Sequence, residues 1–313
     1  MTGASVAGEP VFVHYFTLDV FTDQRFGGNP LAVVLDARGL STAQMLQITR
    51  EFNYSETTFV LPAEDEFMTR RVRIFTPGGE VPFAGHPTIG TAIALVFSGD
   101  VPPSGEHVQV VLGENVGPVP VTVRLRDGVP EWAQLSTARL PVEQPPMDRA
   151  IVADLLGLSV TDVVAAASHA PTATSCGLPF LIVPLVSREA VARARINDPV
   201  FAQHLRGTEC AMVLVFSTLD DVPGVDLHCR VFCPDDGVPE DPATGSANAA
   251  LAGYLAARTP RTGTLRWVAE QGIEMGRPSR LEIEADKSAD GAITAVRVGG
   301  AAVLMAEGRL RVV

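Results

Sequence analysis

A five-residue pattern, Arg73-Ile74-Phe75-Thr76-Pro77, returns 157 residues later as Arg230-Val231-Phe232-Cys233-Pro234, half of a 313-residue chain away. Self-similarity at that distance constrains architecture more than any local propensity, because both copies have to build the same unit. The offset carries Val81-Pro82 onto Val238-Pro239 and Ala92 onto Ala249, and upstream it sets Phe59 over Phe216. An earlier pair, Gly28-Asn29-Pro30-Leu31 and Gly177-Leu178-Pro179-Phe180, repeats at 149 residues. Two matched blocks in the same order predict two similar halves. These are residues 1–137 and 149–313, joined by the Pro- and Glu-rich linker 138–148.

The first half opens with two runs rich in Val, Leu and Phe, 11–21 and 31–36, on either side of the turn FGGNP. Such runs bounded by turn residues predict strands. Ser41 or Thr42 then caps a helix in which Met45, Ile48 and Phe52 recur at helical spacing. Strands are predicted over 57–62 and 70–77. They are followed by a helix over 85–97 that is apolar on nearly every side, which predicts burial rather than amphipathic docking. The second half echoes this with strands at 180–186, 211–217 and 226–232 and helical segments over 187–205. A small-residue buried helix over 242–257 follows, and then short strands to the C-terminus. The expected class is α+β, two curved or barrel-like sheets, each wrapped around one central helix. The C-terminal strand either stays in the second half or crosses back to the first.

The chain carries 24 Lys and Arg against 36 Asp and Glu, a net charge of −12, and 6% aromatic residues. That balance argues against a nucleic-acid binder and against a polybasic membrane protein. No basic and apolar leader pattern opens the chain, and no uncharged run of 18 apolar residues occurs, so neither a signal peptide nor a transmembrane helix is expected. Cys176, Cys210, Cys229 and Cys233 suit reduced thiols in a cytoplasmic protein. Cys229 and Cys233 lack further ligands at metal spacing, and no glycine-rich phosphate loop occurs, so neither metal nor cofactor is expected.

The unusual polar residues cluster at the starts of the two buried helices, where unpaired N–H groups favour anions. Under a pseudo-two-fold axis both starts face one interdomain cleft, which gathers His86 and Asp241 with the amides of Gly245 and Ser246. Each residue also has a plain structural role open to it: His86 or Asp241 as a helix cap, Glu56 as a solvated turn carboxylate. Ser246 as a hydrolase nucleophile lacks the G-x-S-x-G context.

At these residues the chain resembles the phenazine-biosynthesis PhzF-like isomerases, of the diaminopimelate epimerase-like fold. The resemblance rests on FGGNPLAVVL, FNYSETTFV, RIFTPGGEVPFAGHPTIGTA, GLPFLIVPL, RVFCPDDGVPEDPATGSANAAL and EQGIEMGRPS, in family order from about residue 11 onwards. It implies Glu56 as catalytic acid/base, with His86 and Asp241 as catalytic residues that hold and polarise the substrate. It implies Asn29, Ser55, Gly85, Gly245 and Ser246 as substrate contacts. It further implies a small carboxylate substrate, cyclic or amino-acid-like, a proton moved between two of its carbons, and no cofactor or metal. A homodimer is a common state in the family, although no stripe in this sequence demands one. Cysteine-based racemases of the fold begin each central helix with a thiol, and no Cys stands at either place here. A second reading keeps the fold but makes the chain a non-catalytic carboxylate binder.

Overall fold

The structure, a computed structural model, describes residues 12–219, 222–236 and 238–312. The opening segment and the end residues Val11 and Val313 of two expected strands lie outside the described residues.

The first half begins with β1 (Phe12–Val20) and β2 (Asn29–Val34) around the FGGN turn. Helix α1 (Thr42–Phe52) is started by Ser41, whose side chain accepts from the Gln44 amide, and it buries Met45 and Ile48. That is a capping box, and it satisfies donors the first turn leaves open. β3 (Glu56–Leu61), β4 (Arg70–Thr76) and β5 (Gly79–Val81) lead into α2 (Gly85–Phe97), followed by β6 (His107–Glu114), β7 (Gly117–Arg126) and β8 (Val129–Ser136). The last three occupy residues 98–137, for which no element was expected.

The second half holds β9 (Val142–Pro146), α3 (Arg149–Leu155), β10 (Thr172–Ser175), β11 (Pro179–Pro184), α4 (Arg188–Arg193), α5 (Asp198–His204), β12 (Val213–Thr218), β13 (Leu227–Cys233) and β14 (Val238–Asp241). It closes with α6 (Gly245–Arg258), β15 (Gly263–Gln271), β16 (Ser279–Lys287) and β17 (Ile293–Arg311). The helical stretch expected over 187–205 is broken between α4 and α5, where Arg195 and Asn197 donate to Leu156 and Leu155 carbonyls instead of continuing the helix. Of the short strands expected toward the C-terminus, the last two are one strand of 19 residues.

Around α2 the order β1-β2-β3-β4-β6-β7-β8-β17 returns to β1, so the sheet closes on itself. β17 pairs first with β16, then with β8 and finally with β1, so it belongs to both halves. The stretch 138–148, expected as a linker, contains β9, which pairs with β10. β8 and β9 together therefore cross from the first sheet to the second as β17 crosses the other way. Matched pairings run through both halves, β2–β3 and β11–β12 parallel, β3–β4 and β12–β13 antiparallel.

Strand register corrects the ungapped 157-residue offset. Arg73 pairs with Phe59 and Arg230 with Val215, so Val215, not Phe216, is the counterpart of Phe59. Ile74 pairs with Val81 and Val231 with Asp241, so Asp241 stands where the first half has Val81. The second copy gains three residues before its central helix. Residues 85–96 of α2 are buried throughout, and α6 buries ten of its fourteen residues. Among the described residues no helix is long and apolar enough to cross a membrane.

Candidate active site

The two central helices meet start to start. A Cβ on Gly85 would lie 2.9 Å from Gly245 Cα and 3.0 Å from Ser246 N, so only glycine permits the approach. Neither start is capped by a side chain: Ala84 cannot cap, and the Thr244 hydroxyl donates to Asp241 Oδ2 instead. Two uncapped, mutually repelling positive dipole ends thus converge on one spot, which is a setting for negative charge.

Carboxylates occupy that setting. Glu56, at the head of β3, places Oε2 3.4 Å from His86 Nε2, and both atoms are buried. Asp241, at the end of β14, accepts from Asn29 Nδ2 at 2.9 Å and from Thr244. Burial pushes the Asp241 carboxyl above its ordinary range, while the hydrogen bonds from Thr244 and Asn29 pull the other way. Burial lowers the His86 pKa to about 3, so its imidazole is neutral at physiological pH. Asn29, fully buried, joins the set: its amide nitrogen also meets His86 Nδ1 at 3.2 Å and the Ala243 carbonyl at 3.0 Å. Its oxygen accepts from Ser55 Oγ at 2.9 Å.

A cleft of about 1000 Å³ opens over these residues. Ser55, Glu56, Asp241 and Ser246 line it, as do Tyr54 and Phe83. His86, Gly85, Gly245 and Asn29 are brought to the same place but lie behind the wall. Asn29 and Gly85, expected as substrate contacts, correspond less well. Asn29 has both polar atoms engaged by protein groups, and Gly85 is pressed against the partner helix. Both ring nitrogens of His86 face Asn29 and Glu56, so that histidine does not serve Ser246 as a base.

Several supporting residues escape a reading by motif. Gln271, fully buried at the end of β15, accepts from Thr244 N and Asn248 Nδ2 and donates to Asp241 O. It thereby ties the last residue of β14 to the start of α6. Arg277 reaches the other half, donating to the Gly28 and Gly27 carbonyls at 2.7 and 2.6 Å, with Asp19 Oδ1 at 2.6 Å. The turn needs that grip and its glycines: Gly28 has φ +61°, and a Cβ there would sit 2.3 Å from Val20 O. Asn29 follows directly. The signal for Gln271 and Arg277 lay only in the EQGIEMGRPS stretch.

Two barrel halves with their central helices facing across a cleft define the diaminopimelate epimerase-like class. Within it the chain belongs to the phenazine biosynthesis-like family, whose model matches residues 18–308, and it is an isomerase. It is 40% identical to an uncharacterised isomerase of Mesorhizobium japonicum, over 95% of this chain and 98% of that one. It is 32% identical to trans-2,3-dihydro-3-hydroxyanthranilate isomerase of Pseudomonas aeruginosa, over 94% and 98%. The crystal structure of the Bacillus anthracis phenazine biosynthesis protein of the PhzF family superposes with a TM-score of 0.85 at 26% identity, covering 96% of this chain and 99% of that one. A hydroxyproline epimerase from Agrobacterium vitis, at TM-score 0.66 and 13% identity over 96% and 91%, shares the fold.

Proposed function

We propose that this isomerase moves a proton between two carbons of a small carboxylate-bearing substrate, cyclic or amino-acid-like, with Glu56 as the single acid/base. The observation that carries the proposal is the asymmetry of the cleft walls. Thr57 pairs with Phe75 and Val213 with Phe232, so the pseudo-symmetric counterpart of Glu56 is Met212, which also lines the cleft. Leu178 stands likewise where the first half has Asn29. At these two matched positions the first half is polar and supplies a carboxylate, whereas the second half is apolar. A two-base inversion needs groups on both faces of a carbon, whereas a shift along one face needs one base that reaches both carbons.

Glu56 takes the proton from the first carbon, and the electron pair left behind delocalises toward the substrate carboxylate. The same carboxyl then returns the proton to the second carbon. The balance is internal and calls for no cofactor. The amides at Gly245 and Ser246, with the α6 dipole, stabilise the developing negative charge. Asp241 orients the substrate from the cleft wall, His86 polarises the site from behind it through Glu56, and Met212 and Leu178 seat the hydrocarbon side.

The test is proton NMR in D₂O, starting with trans-2,3-dihydro-3-hydroxyanthranilate and continuing through cyclic and acyclic amino acids. Wild-type protein should exchange or isomerise one of them, and Glu56→Gln should lose at least roughly 10²-fold of that rate. Full turnover by Glu56→Gln would remove Glu56 from the role. Binding of a panel member without exchange would favour the second reading, a carboxylate binder on the same fold.

A further inference from the structure

The contacts of Asn29 determine more than its own orientation. Its amide nitrogen faces the Ala243 carbonyl at 3.0 Å, Asp241 Oδ1 at 2.9 Å and His86 Nδ1 at 3.2 Å, and its oxygen faces the Ser55 hydroxyl. A backbone carbonyl can only accept, so the group facing Ala243 is the NH₂. That assignment holds whatever the charge on any neighbour. An amide NH₂ is itself only a donor. If His86 carried its proton on Nδ1, that N–H would point at an amide nitrogen that cannot accept and whose two hydrogens already face the Ala243 carbonyl and Asp241 Oδ1. Nδ1 therefore turns a lone pair to Asn29, and the ring proton sits on Nε2.

We infer that Asn29 is a positioning residue that holds His86 as its Nε2–H tautomer and so aims that proton at Glu56 Oε2, 3.4 Å away. At 3.4 Å the two atoms are close but not hydrogen-bonded to each other, which suits a resting site, since catalytic hydrogen bonds often form or tighten only with substrate in place. The consequence for catalysis rests on the Glu56 role proposed above. An N–H aimed at Glu56 favours its carboxylate, the form that accepts a proton. The other tautomer would present a lone pair, which favours the protonated acid and leaves no base. Asn29 thus acts on Glu56 through His86 and touches no substrate.

The assignment is tested by long-range proton–nitrogen correlation on full-length protein labelled with ¹⁵N-histidine. His86 is identified among the six histidines by the signals missing in His86→Gln. The wild type should show a bare Nδ1 and a protonated Nε2 across neutral pH. Asn29→Asp puts an acceptor where the NH₂ stood and should draw a proton onto Nδ1; it should also lower the D₂O exchange rate by roughly 10²-fold with little change in KM. A protonated Nδ1 in the wild type, or an unchanged tautomer in a folded Asn29→Asp, overturns the inference. The wild-type spectrum decides the matter even where the variant does not fold. A protein with the expected tautomer but no exchange on any substrate would count against the Glu56 mechanism and leave the tautomer standing.

Discussion

Glu114, a residue 5% exposed, ends β6 with its carboxyl against the first turn of α2, where the Thr88 hydroxyl lies 2.6 Å from Oε1. Burial raises its pKa to about 8, and the Thr88 hydrogen bond and the charge of Arg71 only partly oppose this. Between its ordinary pKa of 4.5 and 8 the folded state therefore keeps a proton that the unfolded chain has released. With more protons bound in the native state, stability falls as pH rises through that window. His86 works oppositely, since its pKa of about 3 makes stability rise from pH 3 to its ordinary 6.5. From 6.5 to 8 Glu114 therefore lowers stability as pH rises, in the same direction as the buried Asp241 carboxyl. Glu114→Gln, which keeps a partner for Thr88, should flatten the decline there and raise stability at pH 8 by on the order of a few kcal/mol. Urea unfolding of both proteins at pH 6.5 and 8 measures it; parallel declines would show that Glu114 ionises freely. At this scale the sequence displays the residues of the motifs, Glu56, His86, Asp241 and Ser246. It does not display Glu114 or Gln271, whose importance comes from burial against partners 23 to 30 positions away.

Among the elements, the contact between the starts of α2 and α6 is the most exacting, because backbone meets backbone there. A Cβ on Gly85 would sit tighter than ordinary contact against Gly245 and Ser246, with no flexible side chain to give way. Gly85→Ala should cost about 1–3 kcal/mol, the range of overpacked cores, and should depress exchange activity by moving the α6 amides. Gly78→Ala, whose Cβ meets only Thr76 Oγ1 at 3.5 Å, is the matched control and should be close to neutral. Equal unfolding midpoints for the two variants would mean that the helices separate without strain. The limits of α2 were legible because a helix apolar on all sides leaves one interpretation. β7 was not, although Val119, Val121, Val123 and Leu125 alternate inward, because Pro118 and Pro120 break the pattern of a paired strand. The register of the repeat is hidden in the sequence for a similar reason. Residues 234–236 form a short turn of helix in the second copy, and no local signal distinguishes such an insertion from a shifted match.

For the whole molecule the decisive feature is the exchange of strands between halves. Residues 302–311 of β17 pair with β1, while residues 293–299 pair with β16. In the centre, 297–301 pair with β8, whose chain runs on into β9 and the second sheet. The first ring is closed by β17, which the second sheet also needs, and the second sheet takes β9 from the chain that leaves β8. Opening the first barrel frees β8 and exposes the edge on which β17 lies, so the second sheet loses its hold as well. A chain of this length usually unfolds domain by domain, yet here the shared strands predict one calorimetric transition with equal calorimetric and van't Hoff enthalpies. Deleting residues 302–313 removes only pairing to β1 among the described contacts of that segment in the sheet. It should nonetheless abolish the whole transition rather than half of it. A truncated protein that keeps a cooperative transition of about half the enthalpy would show that the second barrel stands alone. The same coupling bears on the cleft: the wall bearing Glu56 and the wall bearing Met212 are held at a set distance by strands common to both, as a single base that serves two carbons requires.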